Sequence, residues 1–367
     1  MVLYIFKSGG KIMNKLKAAV IGVGSISQEH INGYINNPDV ELYAFCDINE
    51  ERLYQKAEKY GVDKSRCFTD KDEMLKALPE IDIVSVTTWN SAHAECSIAA
   101  LNAGKHVICE KPMAMNAEEA MQMKEAAERN GKILQIGFVR RFGNDCKVVK
   151  DFIDAGNFGD IYYAKATYLR RNGNPGGWFG DKSRSGGGPL IDLGVHVIDL
   201  VRYLLGCPQP VSVYGATFQK LFNRPDTIKT KGYAAADAKK GDICDVEDLA
   251  SAMIRFDNGA VLSIEAAFSL NIKKPEGDIQ LFGTKAGCKL DPQVEIYTEM
   301  NNYLVNVDFD EDTALSFDGL FQNEINHFVD CALGKAECLA PAQHGVDMMR
   351  ILDAVYESAR TGHEVIL

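Results

Sequence analysis

The sequence predicts a two-domain α/β protein. A doubly wound parallel sheet comes first, followed by an α+β domain on an open, mostly antiparallel sheet. Three observations predict this. Residues 17–138 alternate short, continuously apolar runs with amphipathic stretches, as strands buried on both faces between helices do. The first apolar run ends in the glycine turn Gly22-Val-Gly24. Beyond about residue 205 long strand-like runs succeed one another without helices between them, which implies antiparallel pairing.

The elements follow in order. LKAAVIGVG is a strand ending in glycines, SISQEHINGYIN a helix, VELYAFCDI a strand and NEERLYQKAEKYG a helix ending at Gly61. After a short helix come the strand IDIVSVTT, the helix SAHAECSIAALNAGK, the strand HVICE, the helix NAEEAMQMKEAAERNG and the strand KILQIGF. From about residue 139 the texture changes: a helix near 144–155, the strand IYYAKATYLRR, a buried helix at 190–205, then the long strands. The polar run 219–245 lacks periodicity and reads as a long loop, a kind often functional in compact domains. The domains expected are an extension 1–14 with Met13 as candidate start, a dinucleotide-binding domain 15–138, an α+β domain 139–340, and a C-terminal helix and tail 341–367 packing back on the first domain.

Composition narrows the function classes. With 46% hydrophobic and 25% charged residues the chain is an ordinary globular protein. A net charge of −11 without a basic block disfavours nucleic acid. No apolar run approaches the roughly 18 residues of a membrane helix, and the N-terminus lacks a signal-peptide core. Ten cysteines without CxxC or metal-type spacing read as reduced thiols. The expectation is a cytoplasmic protein without a metal, acting on a small molecule.

The chemistry-bearing residues sit at strand ends. Gly22 and Gly24, with Ser25 and Ile26 opening a helix, form a turn that a pyrophosphate can approach. Ser27 stands where the third glycine of the usual fingerprint falls. Asp47 ends the second strand, placed to accept from the adenosine ribose hydroxyls and to disfavour a 2′-phosphate, with no arginine immediately after it. Helix capping is its bland alternative. Thr87 and Asn90 lie at the end of the IVSV strand, facing the same cleft. Glu110-Lys111-Pro112 ends the next strand, and proline restrains the backbone of Lys111. In the buried run 188–206, Asp192, His196 and Asp199 fall at i, i+4 and i+7 on one helix face. A polar stripe on a buried helix needs partners or a polar cavity.

Together these motifs resemble the Gfo/Idh/MocA oxidoreductase family. The resemblance runs from GVGSISQEH through TTWNSAHAECSIAALNAGKHVICEKPMA, GFVRRF and SGGGPLIDLGVHVIDLVRYLLG to the tail. It implies a Rossmann domain binding NAD, and Lys111, Asp192 and His196 as catalytic residues. Gly22, Gly24, Ser25, Ile26, Asp47, Thr87, Asn90, Glu110 and Lys111 then hold the cofactor. Arg141, Tyr168 and Trp178 join Asp192 and His196 around substrate, with Arg140 the alternative to Arg141 and Trp89 a further candidate. The activity implied is oxidation of a secondary ring hydroxyl of a sugar or glycoside, including the glucoside 3-dehydrogenase type, with an aglycone lodged under the 219–245 loop. Inositol dehydrogenase, a redox-neutral NAD-dependent glycosidase or lyase, and a non-enzymatic sensor are the alternatives. The strands EDLASAMIRFD and AVLSIEAAFSL carry apolar residues on both faces, which a soluble monomer rarely exposes. A homo-oligomer through this sheet is therefore expected.

Overall fold

The structure, a computed structural model, describes residues 15–221, 224, 227 and 233–367. The expected N-terminal extension and part of the 219–245 loop lie outside the described residues.

The first domain carries a parallel sheet of β1 (Leu16–Ile21), β2 (Val40–Cys46), β3 (Cys67–Phe68), β4 (Ile83–Val86), β5 (His106–Glu110) and β6 (Leu134–Gly137), in the order β3-β2-β1-β4-β5-β6. The order reverses beside β1, where an open sheet of this kind leaves a crevice at its carboxyl end. The connections contain α1 (Ser27–Ile35), α2 (Glu50–Tyr60), α3 (Lys71–Ala77), α4 (Asn90–Asn102) and α5 (Ala117–Asn130). β4 is buried at every position, and its one polar residue, Ser85, has its hydroxyl satisfied by His30 and Tyr34. α2 starts where the Asn49 side chain accepts from the Arg52 N–H and stops at Gly61, whose φ of 70° suits glycine.

α6 (Asn144–Asp154) leads into β7 (Ile161–Leu169), then α7 (Lys182–Ser185), a π-helical turn over Leu190–Gly194 and α8 (Val195–Leu204). The strands β8 (Pro210–Phe218), β9 (Leu249–Phe256), β10 (Val261–Ala267), β11 (Glu276–Gly283), β12 (Ala286–Lys289), β13 (Glu295–Met300) and β14 (Tyr303–Val307) follow. Then come α9 (Leu320–Ala332), α10 (Ala342–Thr361) and β15 (Val365–Ile366). The nine strands are ordered β14-β13-β12-β11-β7-β10-β9-β8-β15, and within this sheet, among the described residues, β7 with β10 is the one parallel pair. Burial alternates strictly along β9, so one face of the sheet is covered and the other is open; α8 packs on β7, β10 and β11, and α10 on β8.

Two helices differ from the sequence reading. α9, placed by that reading in the second domain, packs on α1 of the first: Ile325, Phe328 and Val329 join Ala18, Val20 and Ile31 in one core. Gly33 permits the approach, since a Cβ there would meet Ile325 at 2.8 Å. The run 188–206 is not one α-helix. Its first turn is π-helical, which offsets Asp192 from the register a continuous α-helix would give it.

Candidate active site at the domain junction

Two glycines set the second domain's half of the site. At Gly187 a Cβ would stand 2.0 Å from the Tyr356 hydroxyl, and at Gly188 it would stand 2.4 Å from the Glu247 carbonyl. Only glycine lets the chain pass. The Glu247 carboxylate then holds the π turn, accepting from Gly188 N–H (3.0 Å), Leu190 N–H (3.1 Å) and Tyr356 O–H (3.0 Å). Burial pushes this carboxyl above its ordinary value, against the pull of those donors.

That turn presents Asp192 to Lys111, which arrives from the end of β5 in the other domain. The Lys111 ammonium donates to Asp192 Oδ1 and to the Asp192 carbonyl, both at 3.0 Å. One turn on is His196. Burial, then the positive charges of Lys111, Arg140 and Arg170, hold its imidazole well below the ordinary histidine value. At neutral pH it is therefore an uncharged base beside three cations. Tyr168, at the end of β7, receives the Arg170 guanidinium at 3.4 Å from its hydroxyl and 5.2 Å above its ring.

Behind Lys111 runs a buried polar chain. Glu110 Oε1 pairs with His30 Nε2 (3.0 Å), His30 Nδ1 with Ser85 Oγ (2.9 Å), and Ser85 Oγ with the Tyr34 hydroxyl (2.7 Å). Burial raises the Glu110 carboxyl, but His30 and Lys111 outweigh it and hold the group below its usual range. The His93 ring sits between the carbonyls of Pro112 (2.7 Å) and Thr88 (3.2 Å), and the neutral ring, its pKa lowered by burial, has one N–H to donate to one of them.

Beside this junction a cavity of about 640 Å³ opens over the carboxyl ends of β1, β2 and β4. Gly22, Gly24, Ser25, Ile26, Asp47 and Thr87 line it, as do Thr88 and Trp89. The fit to a dinucleotide can be tested at the glycines. Gly22 has φ +87° and no room for a Cβ against Thr88, whereas a Cβ on Gly24 would stand in open space within the cavity. The first is the tight turn and the second the cradle that a pyrophosphate fills. No side chain caps α1, so its N-terminus faces the cavity free to meet an anion. The residues present fit NAD.

Several expected residues stand elsewhere. The Arg141 guanidinium is fully buried and forks onto Asp199 at 2.9 and 2.6 Å. It also donates to the Leu339 carbonyl. It is a brace within the fold rather than a substrate contact, and Arg140 is the arginine whose charge reaches His196. Asn90 gives its amide to the Ser185 carbonyl (2.8 Å) across the junction and does not line the cavity. Glu110 is committed to His30 and to Lys111 N–H (3.2 Å) and supports the site from behind. Trp178 lines the dinucleotide cavity together with Phe179, Tyr233, Ala236 and Asp237. The described end of the 219–245 loop thus borders the dinucleotide cavity. The sequence reading passed over Arg170, Glu247 and Arg52. Arg52 reaches back to Asp47 from one turn into α2.

The geometry agrees with comparison to known proteins. Residues 16–138 match the NAD-binding Rossmann-fold model of the GFO_IDH_MocA oxidoreductase family, and residues 150–367 match that family's C-terminal alpha/beta domain. The chain belongs to the Gfo/Idh/MocA oxidoreductase family. It is an NAD-dependent oxidoreductase. Among the family's proteins, D-glucoside 3-dehydrogenase of Escherichia coli (strain K12) is 36% identical, over 96% of this chain and 97% of that protein. Myo-inositol 2-dehydrogenase of Thermotoga maritima is 29% identical over 74% of the chain and 73% of that protein. The structure of levoglucosan dehydrogenase in complex with NADH superposes with a TM-score of 0.81 at 25% identity, covering 96% of this chain and 99% of that one. Among the described residues no helix is long and apolar enough to cross a membrane.

Proposed function

We propose that this oxidoreductase oxidises a secondary ring hydroxyl of a sugar or glycoside to a ketone, or reduces such a ketone in reverse. One observation carries the reading: Lys111 of one domain meets Asp192 of the other at 3.0 Å, with His196 one turn on, beside a cavity built for a dinucleotide. NAD, when bound, supplies the hydride acceptor. The chain's own groups handle the proton and the charge. His196, kept neutral by burial and by its cationic neighbours, takes the hydroxyl proton as general base. Lys111 stabilises the oxygen as negative charge develops. Asp192 holds the ammonium in place and accepts from a neighbouring substrate hydroxyl. Arg170 and Tyr168 border the same space, which suits a ring bearing several hydroxyls.

The glucoside assignment rests on the D-glucoside 3-dehydrogenase, which matches along almost the whole chain, whereas the inositol dehydrogenase matches about three quarters of it. A screen of NAD reduction over glucosides, levoglucosan, inositols and free sugars tests it. The expected result is highest kcat/KM on a glucoside. Turnover confined to inositols would replace the glucoside reading, and substrate conversion without added NAD would point to a redox-neutral cycle on retained cofactor.

We infer also that the enzyme assembles through its large sheet. The open face carries a cross-strand row of Tyr297, Phe282, Tyr163 and Val261, continued by Met253 and Tyr214 on the neighbouring row. Tyr163 and Phe282 stack at 5.6 Å. Met253 and Tyr214 are half exposed, and a second copy covering the row would remove an apolar surface from water. A cytoplasmic location remains this reading's expectation, in line with the acidic chain and its many thiols.

A further inference from the structure

We propose that Cys331 and Cys338, with His327 as their base, form a peroxide-sensitive dithiol whose closure to a disulfide slows the enzyme through the brace behind α8. The cluster lies outside the dinucleotide cavity and outside the Lys111–Asp192–His196 set.

His327 and Cys331 fall at i and i+4, on one face of α9. The His327 Nε2 stands 3.4 Å from Cys331 Sγ. Gly334, at φ 70°, turns the chain back, and the return brings Leu339 N–H to the same Nε2 at 3.0 Å. A ring nitrogen that accepts from a backbone N–H carries no proton of its own, so it faces the Cys331 thiol as an acceptor too. Cys338, the residue before Leu339, is thereby placed against Cys331, and the two thiols hydrogen-bond to each other. Cys331 is buried and Cys338 half-buried, beside the exposed residues 334–337. The bond from Cys338 holds the Cys331 thiol below its ordinary value against burial, and the same bond with burial pushes Cys338 up. Cys331 is therefore the attacking sulfur. Burial holds His327 below the ordinary histidine value, so at neutral pH it is an uncharged base.

A small hydroperoxide is the oxidant that such a half-buried pair admits. Cys331 passes its proton to His327, and its sulfur attacks the terminal peroxide oxygen. The O–O bond breaks, the far oxygen leaves with the proton from His327 as water or an alcohol, and Cys331 becomes a sulfenic acid. The Cys338 sulfur then displaces the hydroxyl, which leaves with the Cys338 proton as water, and the S–S bond forms. The two thiols have given two electrons to one peroxide, and a dithiol reductant reverses the change by exchange. Closing the bond draws Cys338 toward the end of α9 and takes Leu339 with it. The Leu339 carbonyl accepts from Arg141, whose guanidinium forks onto Asp199. Asp199 stands three residues after His196 on α8. The oxidised loop therefore pulls at the brace that seats His196.

Equimolar hydrogen peroxide added to the reduced whole protein, followed by alkylation and peptide mass spectrometry, tests the chemistry without a substrate. The wild type should lose the Cys331 and Cys338 thiols together and yield the cross-link between them, and a dithiol reductant should restore both. On the substrate identified by the screen, kcat should fall roughly tenfold on oxidation and return on reduction, because small misplacements of a reacting group are costly. NAD affinity should not change. Cys338→Ala should keep the basal kcat, stop at a sulfenic acid on Cys331 that dimedone traps, and keep its activity after peroxide. His327→Gln, whose amide oxygen can still accept from Leu339 N–H, should slow the oxidation about tenfold or more. The proposal is overturned if both thiols stay open to alkylation after peroxide, if the disulfide forms with kcat unchanged, or if His327→Gln oxidises at the wild-type rate. Inactivation of Cys338→Ala by peroxide to the wild-type extent overturns it as well, because the damage then lies at another cysteine.

Discussion

Replacing Glu247 with alanine should damage both stability and turnover, and the structure allows the size to be worked out. The carboxylate accepts three hydrogen bonds, two from backbone N–H groups at the start of the π turn and one from the Tyr356 hydroxyl. Glu247, Gly188 (in close contact with it) and Leu190 are buried, so water cannot replace the lost acceptor at the two amides. A buried donor left unsatisfied costs about 1–3 kcal/mol, which sums to roughly 2–6 kcal/mol for the two. The Tyr356 hydroxyl adds less, because its ring is only partly buried. At about 2–4 °C per kcal/mol for a domain of this size, the melting temperature should fall by roughly 5–20 °C. Glu247→Gln is the finer test. Its amide oxygen can keep the Leu190 and Tyr356 bonds, and only the Gly188 bond is lost, for about 1–3 kcal/mol. Because that bond anchors the turn carrying Asp192, kcat should fall while NAD affinity stays within a few-fold. Differential scanning fluorimetry and cofactor titration read both effects. A Glu247→Ala protein with wild-type melting temperature and wild-type kcat would refute the anchoring role.

Other consequences follow from buried groups. Glu324 is fully buried on α9, neither carboxylate oxygen has a hydrogen-bond partner among the described residues, and burial beside Glu110 and Asp199 raises its pKa well above normal. Glu324→Met should stabilise the protein by about 1–3 kcal/mol at neutral pH. The gain should grow as pH rises, because a raised folded-state pKa means stability lost with deprotonation. Thermal unfolding at several pH values checks it, and a destabilised Glu324→Met would show that the carboxyl has a partner. Acid should act the opposite way on the histidines. Burial lowers His93 and His196, and burial with Arg141 brings His344 down to about 4. The unfolded chain takes up these protons first, so stability is complete above about pH 6.5 and is lost as pH falls toward 4. A urea midpoint unchanged between neutral pH and the lower end of that window would contradict this. On the open sheet face, Tyr214→Glu with Met253→Lys should shift the light-scattering mass toward the monomer's 40.4 kDa. A wild type already at that mass would end the assembly proposal.

What the sequence disclosed was local. Short, fully buried and mostly apolar strands, such as Ile83–Val86, declare a parallel sheet, and a glycine pair at the end of β1 declares the dinucleotide turn, because these depend on neighbours along the chain. The Lys111–Asp192–His196 set was legible because each residue sits where polarity is costly: at a strand end before proline, or on an otherwise apolar helix. Partners distant in sequence were not legible. Arg141 and Asp199 are 58 residues apart and Glu247 stands 59 from Gly188, so nothing local says that the arginine is a brace or that the carboxylate is an anchor. The glycine run 186–188 was a signal that could have found Glu247, since three consecutive glycines before a buried helix announce that something large lies against them. The π turn was hidden for a related reason: its widening answers to Glu247 and to β10 packing, not to its own composition.

The central claim is that His196 removes the proton while Lys111 and Asp192 hold the charge. The most direct measurement is the single-turnover rate of reduced-cofactor formation by His196→Asn with NAD already bound, on the glucoside identified by the screen, followed across pH. The account predicts a fall of about 10²–10⁴-fold relative to wild type, with NAD affinity within a few-fold. It also predicts loss of the acid limb, which in the wild type should lie below the ordinary imidazole value near 6.5. A His196→Asn protein that turns over at close to the wild-type rate, with the same acid limb, would contradict it.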